Sequence, residues 1–243
     1  APGFEGALNF PSSADDLREV PLQSWRGFFF AGLKPIMPLE ALLEPMEARV
    51  GWLPIEAFVF DPASSRDYVV EASWALYCDN YLEGFHIPFV HPGLAGTLEL
   101  KHYRTEIGAW STLQVAQARP DEPAFELPAD HPDHGSRIAA WYFWLFPTTM
   151  FNFYPWGLSI NLVEPLGPTR CRVRFRSYVW REALRERGAG AALDQVELED
   201  EAVVMQVQRG VRSRLYTRGR YAPGHEAGVH HFHRLLTRML EQD

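Results

Sequence analysis

In the segment DNYLEGFHIPFVHP, residues 79–92, an acid and two imidazoles fall close together as Glu83, His86 and His91. Residue types of this kind bind metal ions. Glu83 and His86 are three apart and would be neighbours on one helical face. His86 and His91 are five apart, which on an unbroken helix turns the second ring roughly 140° away from the first. Chelation of one ion by both rings therefore needs the helix to end between them, and Pro88 is expected to end it. A third ligand must come from elsewhere. Asp200 lies three, four, seven and eleven residues before Val203, Val204, Val207 and Val211, hence on the apolar stripe of a second helix, with Glu199 and Glu201 rotated off it. A carboxylate on an apolar face is costly unless it is paired or metal-bound.

Two imidazoles and one carboxylate, with positions left open, form the ligand set of non-haem Fe(II) oxygenases. The remaining histidines read differently. His225, His230, His231 and His233 are expected to be structural or interface residues, and His131 and His134 to be solvated in a polar loop. The runs WYFW at 141–144 and FNFYPW at 151–156 are expected mainly as sheet core. A few of their rings would line a pocket, where an aromatic box attracts a trimethylammonium cation through its π faces.

The elements that must position these residues follow from turn signals and periodicity. A loop and an apolar strand occupy residues 1–35, and a short helix is expected at 38–44, between Pro38 and Pro45. Two strands flank an Asp61-Pro62 turn within 49–72. A helix over 73–87 precedes alternating strands at 99–118, a Pro/Asp/His-rich surface loop at 119–137, and three β segments at 140–147, 149–164 and 170–180. The last of these alternates Cys171, Val173, Phe175, Ser177 and Val179 with Arg172, Arg174 and Arg176, a half-exposed strand with a solvated basic face. Residues 182–193 read as a loop or a frayed helix, 194–215 as a long helix and 228–242 as a terminal helix. Runs of strands followed by helices predict an α+β fold, an antiparallel sheet wrapped on a long C-terminal helix.

Composition narrows the function classes. The 243 residues are 47% hydrophobic and 22% charged, enough for a sizeable core, and a net charge of −8 argues against nonspecific nucleic-acid binding. No run approaches a membrane span, and no signal peptide is evident. The start without Met is read as trimmed or processed. Cys78 and Cys171 form no disulfide framework, so a reducing, cytoplasmic setting is the default. Neither has a histidine two or three residues after it, so this chain alone is expected to hold no Rieske cluster, which needs two Cys and two His.

Residues 80–92, NYLEGFHIPFVHP, resemble the iron motif of Rieske non-haem iron oxygenases, and 199–210, EDEAVVMQVQRG, resembles the helix carrying their aspartate ligand. Ser213, Tyr216, Gly219-Arg220 and EAGVHHFH at 226–233 are similar to the end of the same catalytic domains. The resemblance runs from about residue 40 to the end. It is closest to the branch that oxidises choline, glycine betaine and carnitine. It implies a helix-grip (START-like) catalytic domain over 36–243, with 1–35 as residual strands of a Rieske domain whose cluster-binding part is absent. It implies that His86, His91 and Asp200 bind mononuclear Fe(II), and that Glu83 orients a ligand histidine and relays the electron from a neighbouring subunit's cluster. Asn80 falls beside the motif as a further catalytic candidate.

The activity implied is O2-dependent hydroxylation or N-demethylation of a small organic substrate, a quaternary ammonium or aromatic compound. Electrons would come from a [2Fe-2S] Rieske cluster on a partner or missing segment, supplied by a reductase. A head-to-tail homotrimer is implied. A chain lacking its Rieske half would lose much of that interface and is open to being monomeric, with an exposed apolar patch around residues 20–35. Two other readings stand beside this one. A metal-free START-like module would bind a small ligand but has no use for Asp200 buried opposite two histidines. A zinc hydrolase accepts the same ligands but lacks an H-E-x-x-H helix and an evident base beyond Glu83.

Overall fold

The computed structural model describes residues 2–241, so Gln242 of the expected terminal helix lies outside the described residues. The chain forms two compact units, dividing between Leu43 and Glu44. In the first, β1 (Leu22–Trp25) pairs antiparallel with β2 (Phe28–Ala31). Arg26 and Gly27 between them both have positive φ, 48° and 87°, the backbone that the right-handed strand twist asks of a two-residue hairpin. Leu22, Phe29 and Leu33 stand 62%, 74% and 85% exposed, the apolar exposure expected of residues 20–35.

Helix α1 (Leu39–Val50) does not stop at Pro45 but runs through it. Met46 and Val50 are fully buried and Arg49 is tied to Glu106 and Asp133. These contacts offset the hydrogen bond that proline forfeits. The two strands expected within 49–72 are one long strand, β3 (Val59–Val70). Asp61 accepts hydrogen bonds from the Ala63 N–H and the Ser64 hydroxyl, and the turn chemistry yields a bulge. Pairing with the next strand resumes at Arg66.

The second unit continues with α2 (Trp74–Tyr81), α3 (Ile87–Val90) and α4 (Pro92–Thr97), then β4 (Arg104–Ile107), β5 (Ser111–Gln117), β6 (Ile138–Leu145), β7 (Thr149–Tyr154), β8 (Gly157–Gly167) and β9 (Arg170–Val179). The expected single segment at 149–164 is a hairpin of two strands. Pro155 and Trp156 make its turn, and Gly157, which opens β8, has φ at 155° and no room for a Cβ against the Tyr178 carbonyl. Two helices finish the chain, α5 (Leu193–Val211) and α6 (Ala227–Leu240).

One antiparallel sheet orders its seven strands β3-β9-β8-β7-β6-β5-β4, and the fold is α+β as expected. Strand faces bearing Trp144, Met150, Val163 and Val173 pack with Tyr77, Cys78 and Leu82, and with Val204, Val229, Phe232 and Leu235 of α5 and α6. The outer face of β9 is laced to acids: Arg176 to Asp67, Arg174 to Glu164 and Arg170 to Glu71. No helix among the described residues is long and apolar enough to cross a membrane.

The loop at 119–137 is not wholly a surface loop. His134 is exposed, but His131 is 7% exposed and Asp133 5%, which corrects the expectation for His131. Its Nε2 donates to the Arg49 carbonyl, and its Nδ1 accepts the Asp133 N–H. Asp133 takes Arg49, Arg104 and the Trp141 indole N–H. Burial raises the Asp133 pKa, but Arg49, Trp141 and Arg104 outweigh it and hold the carboxyl below its ordinary range.

Candidate metal centre

The segment that carries the ligands is built from three short turns. Helix α2 ends at Tyr81 rather than near residue 87. Leu82 is fully buried, and Gly84 lies so close to the Tyr103 ring that a Cβ there would overlap it. The chain turns, and Glu83 caps the next turn: its Oε2 accepts the backbone N–H groups of Phe85 and His86, while its Oε1 sits 2.6 Å from His86 Nδ1. His86 is thereby the N-cap of α3.

Pro88 does not break the helix between the histidines. It occupies the first turn of α3, where a missing N–H costs nothing. The break is at His91, whose backbone (φ −116°, ψ 73°) leaves the helical region because Pro92 follows it. The two rings end 5.1 Å apart between centroids.

Asp200 arrives from the middle of α5. The buried and half-buried stripe of that helix is Leu193, Val196, Glu197, Asp200, Val204 and Gln208. Val207 is 43% exposed, so the expected stripe is displaced by part of a turn, although Asp200 is on the true one. His86, His91 and Asp200 each offer a ligand atom within 4.8 Å of the others. Among the described residues no other group of three His, Cys, Asp or Glu converges in this way.

The proton positions favour a cation at this point. His91 Nδ1 is 2.7 Å from Glu199 Oε2, and Glu83 engages His86 Nδ1. Each acid takes an Nδ1 proton, so a neutral ring turns a lone pair outward at Nε2. Those atoms lie 3.0 Å (His91) and 3.5 Å (His86) from Asp200 Oδ1. Two lone pairs and a carboxylate oxygen facing one another repel unless a metal ion or extra protons stand between them. Burial opposes a charge on His91, but Asp200 and Glu199 outweigh it and hold its pKa above the ordinary value. Asn80 donates to Asp200 Oδ1 at 2.6 Å, fixing the carboxylate. The donor set therefore fits Fe(II), as it fits other borderline divalent ions.

Glu199 is rotated off the expected apolar stripe, yet it reaches His91. Its position directly before Asp200 was the only signal that it could reach the second histidine. The other histidines do not assemble: His225 stacks on Phe85, while His233 lies between Asp79 and Tyr221.

The triad borders a cavity of about 100 Å³ that is also lined by Tyr77, Tyr81, Tyr142, Tyr154, Phe175 and Glu197. Of the aromatic runs, Trp141, Phe143, Trp144, Phe151 and Phe153 are core, and Tyr142 and Tyr154 are the rings that reach the cavity. Burial pushes the phenols of Tyr77, Tyr81 and Tyr154 up, so they serve as donors.

Comparison with known proteins agrees with this architecture. A family model for the ring hydroxylating alpha subunit (catalytic domain) matches residues 56–242. Chloroplastic choline monooxygenase of Arabidopsis thaliana is 36% identical over 72% of this chain and 41% of its own length. The carnitine monooxygenase oxygenase subunit of Escherichia coli (strain K12) is 30% identical over 98% of this chain and 66% of its own length. The chain thus spans roughly half the length of the curated relatives it matches. A crystal structure of the quaternary ammonium Rieske monooxygenase CntA superposes with a TM-score of 0.70 at 23% identity, covering 98% of this chain and 66% of that one. Naphthalene 1,2-dioxygenase from Rhodococcus sp. gives 0.67 at 18% identity, covering 98% and 70%. At these identities the structures share the fold.

Proposed function

This chain belongs to the family of ring-hydroxylating α-subunit catalytic domains, and on that premise we propose that it is the mononuclear-iron half of a Rieske-type oxygenase. The observation that carries the reading is the convergence of His86 Nε2 and His91 Nε2 on one oxygen of Asp200. Fe(II) held by these three residues would supply O2 activation, with electrons arriving singly from a [2Fe-2S] Rieske cluster on another segment or chain and, before that, from a reductase. A ligand-binding module without metal would have no reason to set two imidazole lone pairs against a carboxylate.

The chain's own residues would do the rest. Glu83 and Glu199 fix the ring orientations, so that both histidines present Nε2. Asn80 holds Asp200 in one rotamer. Glu83, at the edge of the site beside His86, would also carry the electron across a subunit interface. Tyr77, Tyr81, Tyr142 and Tyr154 line the cavity and would narrow it around a substrate. The substrate would be a small organic molecule, a quaternary ammonium compound before an aromatic one, because the cavity is acidic and ringed by aromatic faces. Residues 1–35 would be the last strands of a Rieske domain and 36–243 the catalytic domain, working in the cytoplasm in a homotrimer.

The test is reconstitution. The Fe(II)-loaded chain is mixed anaerobically with a Rieske-bearing fragment, its reductase and choline or carnitine, then exposed to O2. Substrate-dependent O2 uptake with release of a hydroxylated or demethylated product is expected. Absence of coupled uptake with quaternary amines and aromatic acids alike would overturn the reading.

A further inference from the structure

We infer that Glu197 is the counter-ion for the cationic head of an organic ammonium substrate in the cavity beside the metal ligands, an assignment that rests on the oxygenase reading above. Glu197 is 3% exposed. Its Oε2 accepts a 2.6 Å hydrogen bond from the Tyr77 hydroxyl, while its Oε1 is buried and has no hydrogen-bond partner among the described residues. Burying a carboxyl oxygen without a partner is costly, and here the residue lines the same cavity as Asp200. The wall of this cavity thus holds a buried carboxyl oxygen that no described protein group satisfies.

The surroundings select the sign of that ligand. Glu83, Glu197 and Asp200 contribute three carboxylates to the described lining, and no lysine or arginine contributes. Tyr77, Tyr154 and Phe175 add aromatic side chains, whose faces attract cations. Away from the metal ligands the charged group of this lining is Glu197, and no cationic side chain of the described lining would pair an anionic head. A neutral one would leave the Glu197 oxygen without a counter-charge. Burial pushes the Glu197 carboxyl well above the usual carboxylate range, and a cation seated against it would draw it back and favour the ionised form.

The position also sets what would be oxidised. Glu197 and Asp200 are three apart on α5 and share one face, about 5–6 Å apart at Cβ. A head group held by Glu197 therefore presents the carbons attached to its nitrogen, rather than a distant part of the substrate, to the metal side of the cavity. This makes Glu197 a specificity-determining residue and not a ligand.

The probes are choline and 3,3-dimethylbutan-1-ol, which share shape and differ in charge. Their binding is measured by calorimetry on the Fe(II)-loaded chain under nitrogen, for wild type, Glu197→Gln and the near-isosteric, apolar Glu197→Met, with iron content recorded for each. Wild type is expected to prefer choline by about tenfold or more, and both variants to lose that preference while binding the neutral alcohol unchanged and keeping their iron. A variant that keeps its iron and still prefers choline as wild type does would overturn the inference and leave the oxygenase reading standing. Wild type that holds iron but binds choline no better than the alcohol would overturn it too. Failure of wild type to take up iron would instead strike the reading on which it rests.

Discussion

The side chains of Glu199 and His91 meet at 2.7 Å, Oε2 to Nδ1, while the opposite nitrogen of the same ring lies 3.0 Å from Asp200. Two consecutive residues of α5 thus grip one imidazole from both ends, the first as orienting partner and the second as the carboxylate that would share a metal ion with it. Glu199→Gln removes the charge that holds the Nδ1 proton. It is expected to weaken Fe(II) binding about 10- to 100-fold with little loss of fold stability. Competition against a metal chelator, with thermal unfolding as control, reads both quantities.

Gly84 provides a test of the turn that carries Glu83 and His86. A Cβ at this position would overlap the Tyr103 ring. Gly84→Ala is expected to destabilise the fold by about 1–3 kcal/mol, the usual range for overpacking, and to reduce metal affinity by displacing His86. Urea denaturation followed by metal titration checks the two effects. A neutral outcome in both would show that the turn tolerates the added carbon.

Much of this site could be read from the chain, and the parts that could not have physical reasons. That His86, His91 and Asp200 converge is legible because their chemistry is unusual for their positions. The break at His91 was assigned to Pro88 because a proline between two histidines looks like a breaker, yet Pro88 sits where prolines start helices and Pro92 acts on the residue before it. Glu197 and Gln208 are polar residues that occupy the buried stripe of α5, so a count of valines shifted the stripe toward Val207. Pro45 and the 131–133 loop failed for a different reason: burial of Met46, Val50, His131 and Asp133 overrides local signals, and burial by distant segments is not written locally.

The Asp133 cluster yields a prediction in acid. Its folded pKa is depressed, so its contribution to stability is complete above the ordinary aspartate value and is lost as pH falls through the lower, folded one. Asp133→Asn is expected to cost about 1–3 kcal/mol near neutral pH, because it removes a buried charged partner of Arg49 and Arg104 while Glu106 still pairs with both. The variant should also lose less stability than wild type between about pH 4 and pH 2. Denaturant midpoints across that range give the comparison.

His233 predicts the opposite slope. The hydrogen bond from its Nε2 to Asp79, 2.8 Å long, raises its pKa against the effect of burial. A raised folded value means stability that is fully present below the ordinary histidine pKa and is lost as pH rises through the folded one. Asp79→Asn should flatten this loss between about pH 6 and pH 8. Ring resonances of His233 followed by NMR against pH should move to lower apparent pKa in the variant, and an unchanged titration would contradict the assignment.

If His86, His91 and Asp200 hold one metal ion, the metal content of the protein reports it. Protein purified anaerobically and loaded with Fe(II) is desalted and analysed for iron beside Asp200→Ala and His86→Ala. About one iron per wild-type chain and essentially none in either variant is expected. Iron that persists in the variants, or a wild type that retains none, would contradict it.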